Sequence, residues 1–239
     1  MHRFKHFSFD LWLTLIRSNP EYKKERVAYF HKNYNLKSKS LEEVSNIFRQ
    51  VDLMCNSVNE RTGKNIDSDE MYLMVISMIN DNAYPLYDVD TDHIYKVMEA
   101  LLHQYHPVVY SNETIFTLDH LKQNNEHTLS ILSNTGFIRG VTLRAVLKEL
   151  GLFHFFDFQL YSDEAGLSKP NPDFFKLMLK KVMEHRKSPL NVEEIIHVGD
   201  NVNADIAGAR SLGIESFLIN SNDNTILDLI KNEKHLFLV

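Results

Sequence analysis

The sequence predicts an α/β fold: a three-layer core built on a parallel sheet and interrupted by an all-helical insert. Three observations lead there. Short apolar runs alternate with helix-period segments, at residues 4–10 and again from 127 onward, as strands and helices do in βα units. The runs lack polar alternation, which implies burial on both faces and hence a parallel sheet covered by helices. Residues 17–107 break the pattern, with helix-period segments and no convincing strand.

Taken in chain order, "FKHFSFD" (4–10) is the first strand, and the insert follows it. "SLEEVSNIFRQVDLMCNSV" opens with Ser40 and Glu43 at capping-box spacing, and "SDEMYLMVISMI" and "TDHIYKVMEALLHQY" each start on a polar cap. The Met and aromatic residues of the second of these are read as core. Helix 113–125, strand 127–134, helix 139–150, strand 156–162, helix 172–186, strand 194–200, helix 204–212 and strand 215–220 then complete the alternation. Gly151 and Gly213 stand where helix ends favour a residue tolerant of positive φ. The expected division is an α/β core of residues 1–16 and 108–239 and a helical cap of residues 17–107.

Composition narrows the function classes. A chain of 239 residues with 44% hydrophobic content can bury a substantial core. Its 26 basic and 32 acidic residues leave a formal charge of −6, with no Lys/Arg-rich run, which excludes a nucleic-acid footprint. The single cysteine, Cys55, excludes an intrachain disulfide and suits a reducing compartment. The start "MHRFKHFSFD" reaches a carboxylate before a signal-peptide apolar region forms, and no apolar stretch spans a bilayer. The expectation is a soluble, cytoplasmic protein. Its twelve histidines show no metal-site spacing and are read as core or surface residues.

In a parallel α/β sheet, ligands bind beyond the carboxyl ends of the strands. The polar residues there are Asp10 and Thr14 in "FDLWLTLI", Ser133 and Asn134 in "LSN", Lys169 in "LSKPNPDFF", and Asp200 and Asp205 in "VGDNVNADIAGAR". Each has a bland reading: strand terminator, turn residue, solvated lysine or helix cap. Thr14 reads equally as a packed β-branched residue.

The series as a whole resembles the haloacid dehalogenase superfamily. That family has a first strand ending D-x-D-x-T, a strand ending in Ser or Thr, a Lys, then G-D followed by another Asp. The resemblance covers residues 4–16 and roughly 110–220, and the insert falls where capped members place theirs. It implies a Rossmann-like core with Asp10 as nucleophile, forming a covalent aspartyl intermediate. Ser133, Asn134, Thr14 and nearby backbone N–H groups would hold substrate oxygens, and Lys169 would balance the charge of a carboxylate facing a phosphate. Mg²⁺ would take oxygens from Asp10, Asp200 and the Trp12 carbonyl, with Asp205 supporting the metal or its waters.

One position departs from the pattern. Phosphatases of the family carry a second Asp two residues after the nucleophile, as general acid and base. Here it is Trp12, whose indole does not titrate usefully, followed by Leu13 in place of the usual small residue. Losing such an acid typically costs about 10²–10⁴ in rate. Several readings stay open: a Mg²⁺-dependent phosphatase of a small phosphorylated molecule suited to good leaving groups, a 2-haloacid dehalogenase-like or phosphonate-cleaving hydrolase of a small halogenated or phosphonate substrate, or a non-catalytic phospholigand-binding protein. The intact "VGDN" stands against the dehalogenase, and no cap lysine is singled out for phosphonate cleavage.

Overall fold

The computed structural model describes residues 3–186 and 189–231. Five strands form the parallel sheet expected from the apolar runs: β1 (His6–Phe9), β4 (Thr128–Ser133), β5 (Phe158–Tyr161), β6 (Ile195–Gly199) and β7 (Glu215–Leu218). Their spatial order is β5-β4-β1-β6-β7, all neighbours parallel, with Phe9 paired to Ile131 on one side and to Val198 on the other. The chain moves outward from β1 through β4 to β5, then crosses back to β6. The loops after β1 and β6 therefore diverge at a topological switch point, where a crevice opens. Asp10 and Asp200 begin those two loops.

The insert contains four helices: α1 (Pro20–Asn33), α2 (Leu41–Thr62), α3 (Ser68–Ile79) and α4 (Thr91–Gln104). Asn19 caps α1 ahead of Pro20, and the Ser40–Glu43 capping box starts α2. These helices bury their own cluster, including Val27, Phe30, Phe48, Val51, Cys55, Tyr72 and Ile76, and Phe137 of the core joins it. An unforeseen ribbon, β2 (Ile16–Arg17) paired antiparallel with β3 (Val108–Val109), ties the entry and exit of the insert together. Two-residue strands are too short to show a period, which is why the sequence pattern missed them.

The remaining helices are α5 (Glu113–Lys122), α6 (Gly140–Glu149), α7 (Ser162–Ala165), α8 (Pro172–His185), α9 (Gly208–Arg210) and α10 (Asp228–Lys231). Asn171 and Pro172 start α8 as cap and first helical residue, which accounts for the "KPNPDFF" run. The expected helix 204–212 is a correction: residues Val202–Ala207 form a π-helical turn and only α9 continues it. Residues 232–239, 187–188 and 1–2 of the expected core lie outside the described residues. No helix among the described residues is long and apolar enough to cross a membrane.

Candidate active site

Asp10 leaves β1 with its amide donating to the Val198 carbonyl at 2.8 Å, so the backbone of β6 fixes where its side chain emerges. Asp10 is buried, with 7% of the residue exposed. Lys169 Nζ donates to Asp10 Oδ1 at 2.7 Å, and the Thr14 hydroxyl donates to Asp10 Oδ2 at 3.1 Å. The same ammonium donates to Asp205 Oδ1 at 2.6 Å. Asp205 is further held by His197 Nε2 at 3.0 Å, while His197 Nδ1 meets the Ser8 hydroxyl at 2.9 Å. Asn201 donates its amide to Asp205 Oδ2 at 3.0 Å, leaving the carboxylate bonded at both oxygens.

Local backbone explains this aim. The π-helical turn, capped by the Asn201 side chain, carries Asp205 back toward β6. Gly199 makes room: a Cβ there would lie 2.2 Å from the Asp205 carboxyl. The glycine of "VGDN" is thus required by the close approach of that acid.

One oxygen each from Asp10, Asp200 and Asp205 lies within 4.8 Å of the others. Burial, then the nearby Asp10 and Asp205, push the Asp200 carboxyl up to about 7. Burial raises Asp10 as well, with Lys169 opposing it. Burial would also raise Asp205, but Lys169 and His197 outweigh it and hold that acid well below the usual carboxylate range. Burial alone would discharge Lys169; Asp10 and Asp205 instead hold it above the ordinary lysine value. Three carboxylates thus cluster around one ammonium that pairs with two of them, Asp10 and Asp205. Such an all-oxygen, under-neutralised set fits a hard divalent cation such as Mg²⁺: each Asp10 oxygen accepts one bond and keeps a further lone pair, Asp200 stands beside it, and Asp205 is committed to Lys169, His197 and the Asn201 amide.

The other sequence candidates divide by what their polar atoms do. Thr14 is buried and orients Asp10. Ser133 is fully buried and its hydroxyl donates to the Asn134 carbonyl at 3.1 Å. The Asn134 side chain brackets the Lys169 backbone, accepting from its amide at 2.7 Å and donating to its carbonyl at 3.0 Å. Trp12 is half-buried, packs on the sheet core and lines the cleft. Leu13 is 53% exposed with φ +59°, a conformation costly for a side chain with a Cβ. Its carbonyl accepts from the Asn220 side chain at 2.8 Å.

The cleft holds about 570 Å³ between these core loops and helices α1 and α2. The insert and the sheet loops are tied together around it. Glu60 accepts from Asn201 Nδ2 at 3.0 Å and Asn203 Nδ2 at 2.9 Å, Asn171 Nδ2 donates to the Gly63 carbonyl at 3.0 Å, and the Tyr72 hydroxyl donates to the Phe137 carbonyl at 3.0 Å. Tyr22, Lys23, Arg26 and Asp52 form the insert's side of the cleft. Sequence reasoning missed these four and His197, because no spacing in the chain announces which helix faces turn toward the strand ends.

Comparison with known proteins agrees with this geometry. The family model of haloacid dehalogenase-like hydrolases matches residues 4–213. A glyceraldehyde 3-phosphate phosphatase of Methanocaldococcus jannaschii is 31% identical over 166 residues, 64% of this chain and 68% of that protein. Its counterpart in Methanothermobacter thermautotrophicus is 29% identical over 169 residues, 66% of this chain and 72% of that one. The match to an uncharacterized hydrolase of Schizosaccharomyces pombe, 29% identical, spans 43% of this chain and less than half of that protein, 47%. Among solved structures, the magnesium-bound HAD-hydrolase YfnB of Bacillus subtilis shares the fold with a TM-score of 0.69 at 18% identity, covering 93% of this chain and 91% of that one. A HAD phosphatase from Thermococcus onnurineus gives 0.63 at 21% identity, covering 95% and 97%.

Proposed function

Because the chain belongs to the haloacid dehalogenase-like hydrolases, we propose that it is a Mg²⁺-dependent phosphatase of small phosphorylated metabolites, limited to good leaving groups by Trp12. One observation carries this reading. The Asp10 carboxylate is buried at the end of β1 with Lys169 on one oxygen and Thr14 on the other, beside the free acid Asp200. The phosphatase relatives from the two methanogens support the substrate class.

In this mechanism an Asp10 oxygen attacks phosphorus, the bond from phosphorus to the leaving oxygen breaks, and an aspartyl phosphate forms. Water then attacks the phosphorus and releases phosphate, restoring the carboxylate. Lys169 offsets the negative charge gathered between the nucleophile and the phosphoryl group, and the Asn134 bracket holds Lys169 in place. Asp10, Asp200 and the Trp12 carbonyl would hold the magnesium ion, which when bound offsets phosphoryl charge and orients the group for in-line attack. Trp12 lines the cleft but supplies no proton to the departing oxygen. Residues 17–107 act as the cap that closes the cleft over the substrate, with 1–16 and 108–239 as the core.

The test is hydrolysis of p-nitrophenyl phosphate with and without Mg²⁺, together with mass spectrometry of the peptide carrying Asp10 under turnover. Mg²⁺-dependent release of nitrophenol and a phosphoryl adduct on Asp10 are expected. Halide release from a 2-haloacid without any phosphatase activity would move the chain to the dehalogenase branch.

A further inference from the structure

Two polar side chains stand in the interior of the parallel sheet, away from the cleft. Ser8 of β1 and His197 of β6 are fully buried, and the strand register sets them directly opposite each other. The Ser8 hydroxyl meets His197 Nδ1 at 2.9 Å, and the other ring nitrogen reaches Asp205 Oδ1 at 3.0 Å. Phe175 of α8 meets the imidazole edge-on, with ring centroids 5.3 Å apart and an interplanar angle of 87°. The imidazole is thus held at both nitrogens and against an aromatic neighbour.

Strand alternation shows what this arrangement serves. Side chains two apart on a strand share a face, so positions 197 and 199 lie on the same side of β6. Gly199 leaves the space that the Asp205 carboxyl fills, and His197, one step earlier on that face, bonds to the same acid. The run "HVGD" therefore supplies both a support and a space for Asp205. An ionised carboxylate only accepts, so His197 Nε2 is the donor in this bond and Nδ1 is left to the Ser8 hydroxyl. The second bond to Asp205 Oδ1 comes from Lys169 Nζ at 2.6 Å, and that ammonium also reaches Asp10 Oδ1 at 2.7 Å.

We propose that His197, backed by Ser8, is a positioning residue: it fixes Asp205, and through Asp205 it aims the Lys169 ammonium at the Asp10 carboxylate. A lysine head on its flexible four-carbon stem takes its place from its acceptors. One of those acceptors, Asp205, is itself anchored by His197 at Oδ1 and by the Asn201 amide at Oδ2. Without the imidazole, Oδ1 keeps Lys169 alone, and the acid can turn about its Asn201 bond and draw the ammonium off the nucleophile. This rests on the phosphatase reading for what Lys169 does to a substrate.

The test combines crystal structures with kcat and KM for p-nitrophenyl phosphate in Mg²⁺, for His197→Phe, His197→Asn, His197→Gln and Ser8→Ala. The longer amide of His197→Gln can put an N–H where Nε2 stood and reach Asp205. The amide of His197→Asn lies where Nδ1 stood, toward Ser8. His197→Phe and His197→Asn should lower kcat by about 10–100-fold, the range for outer hydrogen-bond partners at metal sites, with KM little changed. His197→Gln should recover most of that loss, an order that packing alone does not produce. In crystals of His197→Phe and His197→Asn, Lys169 Nζ should be withdrawn from Asp10 Oδ1; in His197→Gln it should stay in place. Ser8→Ala deletes one oxygen, should lower kcat by a smaller factor, and decides alone should the His197 variants fail to fold. An unchanged kcat in the folded variants, or His197→Asn as active as His197→Gln, overturns the inference while leaving the phosphatase reading intact. A wild type without phosphatase activity overturns that reading, and the crystals then decide the inference: Lys169 unmoved in His197→Phe and His197→Asn contradicts it.

Discussion

The two walls of the cleft treat their polar groups in opposite ways. On the core wall, Asp10, Lys169, Asp205, His197 and Ser8 bond to one another in a continuous buried chain. On the insert wall, the Arg26 guanidinium is held by ring faces, those of Phe48 and Phe137, and among the described residues no carboxylate lies within ion-pair distance of it. The first arrangement is directional, each group fixed by hydrogen bonds to the next; the second relies on packing and cation–π contact. In the proposed mechanism the chemistry belongs to the first wall.

The largest effect that separates them is on stability. Lys169→Met leaves Asp10 and Asp205 buried without their cation, a change that typically costs about 3–5 kcal/mol. Among the described residues Arg26 has no acidic partner within ion-pair distance, so Arg26→Gln loses its contacts with the rings of Phe48 and Phe137, and urea unfolding should show a shift of about 1–2 kcal/mol. Similar losses in the two variants would mean that the walls do not differ as described.

A second contrast lies in pH. His6 is fully buried between Thr128 and Ser130, and burial, with Arg186 and neighbouring cations adding, pushes its pKa down to about 3 from 6.5. The folded protein keeps His6 neutral while the unfolded chain protonates it below 6.5. Unfolding therefore takes up a proton between about pH 6.5 and 3, and stability is lost as pH falls through that window, by about 1.4 kcal/mol per unit from this residue. The stability–pH slope should flatten by one proton in His6→Asn and stay unchanged in Tyr22→Phe.

What the sequence revealed follows from the same division. Asp10, Lys169, Asp200 and Asp205 were legible because strand ends in a parallel sheet converge on one rim, so position along the chain stands for position in space. The roles of Thr14, Ser133 and Asn134 were not, since each hydroxyl or amide turns to a protein partner that only the folded loops supply. The π-helical turn was hidden because its composition is that of an ordinary helix. Tyr22 and Arg26 were hidden because a helix face becomes a cleft wall only through packing against Phe137, more than a hundred residues away in the chain.

The smallest effect concerns Leu13, exposed and held at φ +59°. Left-handed backbone costs a residue with a Cβ about 1–2 kcal/mol, and glycine returns part of that through its looser unfolded chain. Leu13→Gly should therefore leave the melting temperature unchanged or raise it by a few degrees. A clear loss of stability would show that the Leu13 side chain packs in a way its exposure does not reflect.

Trp12 is where the proposed chemistry meets its sharpest test. The decisive measurement is kcat/KM across aryl and alkyl phosphates of graded leaving-group pKa, for the wild type and for Trp12→Asp with Leu13→Gly. With no proton donor at position 12, the wild type should fall steeply as the leaving group becomes more basic. The double variant should flatten that dependence and raise alkyl phosphate turnover by up to about 10²–10⁴-fold. A wild type that hydrolyses alkyl and aryl phosphates alike, with a well-folded double variant no faster on either, would contradict the account.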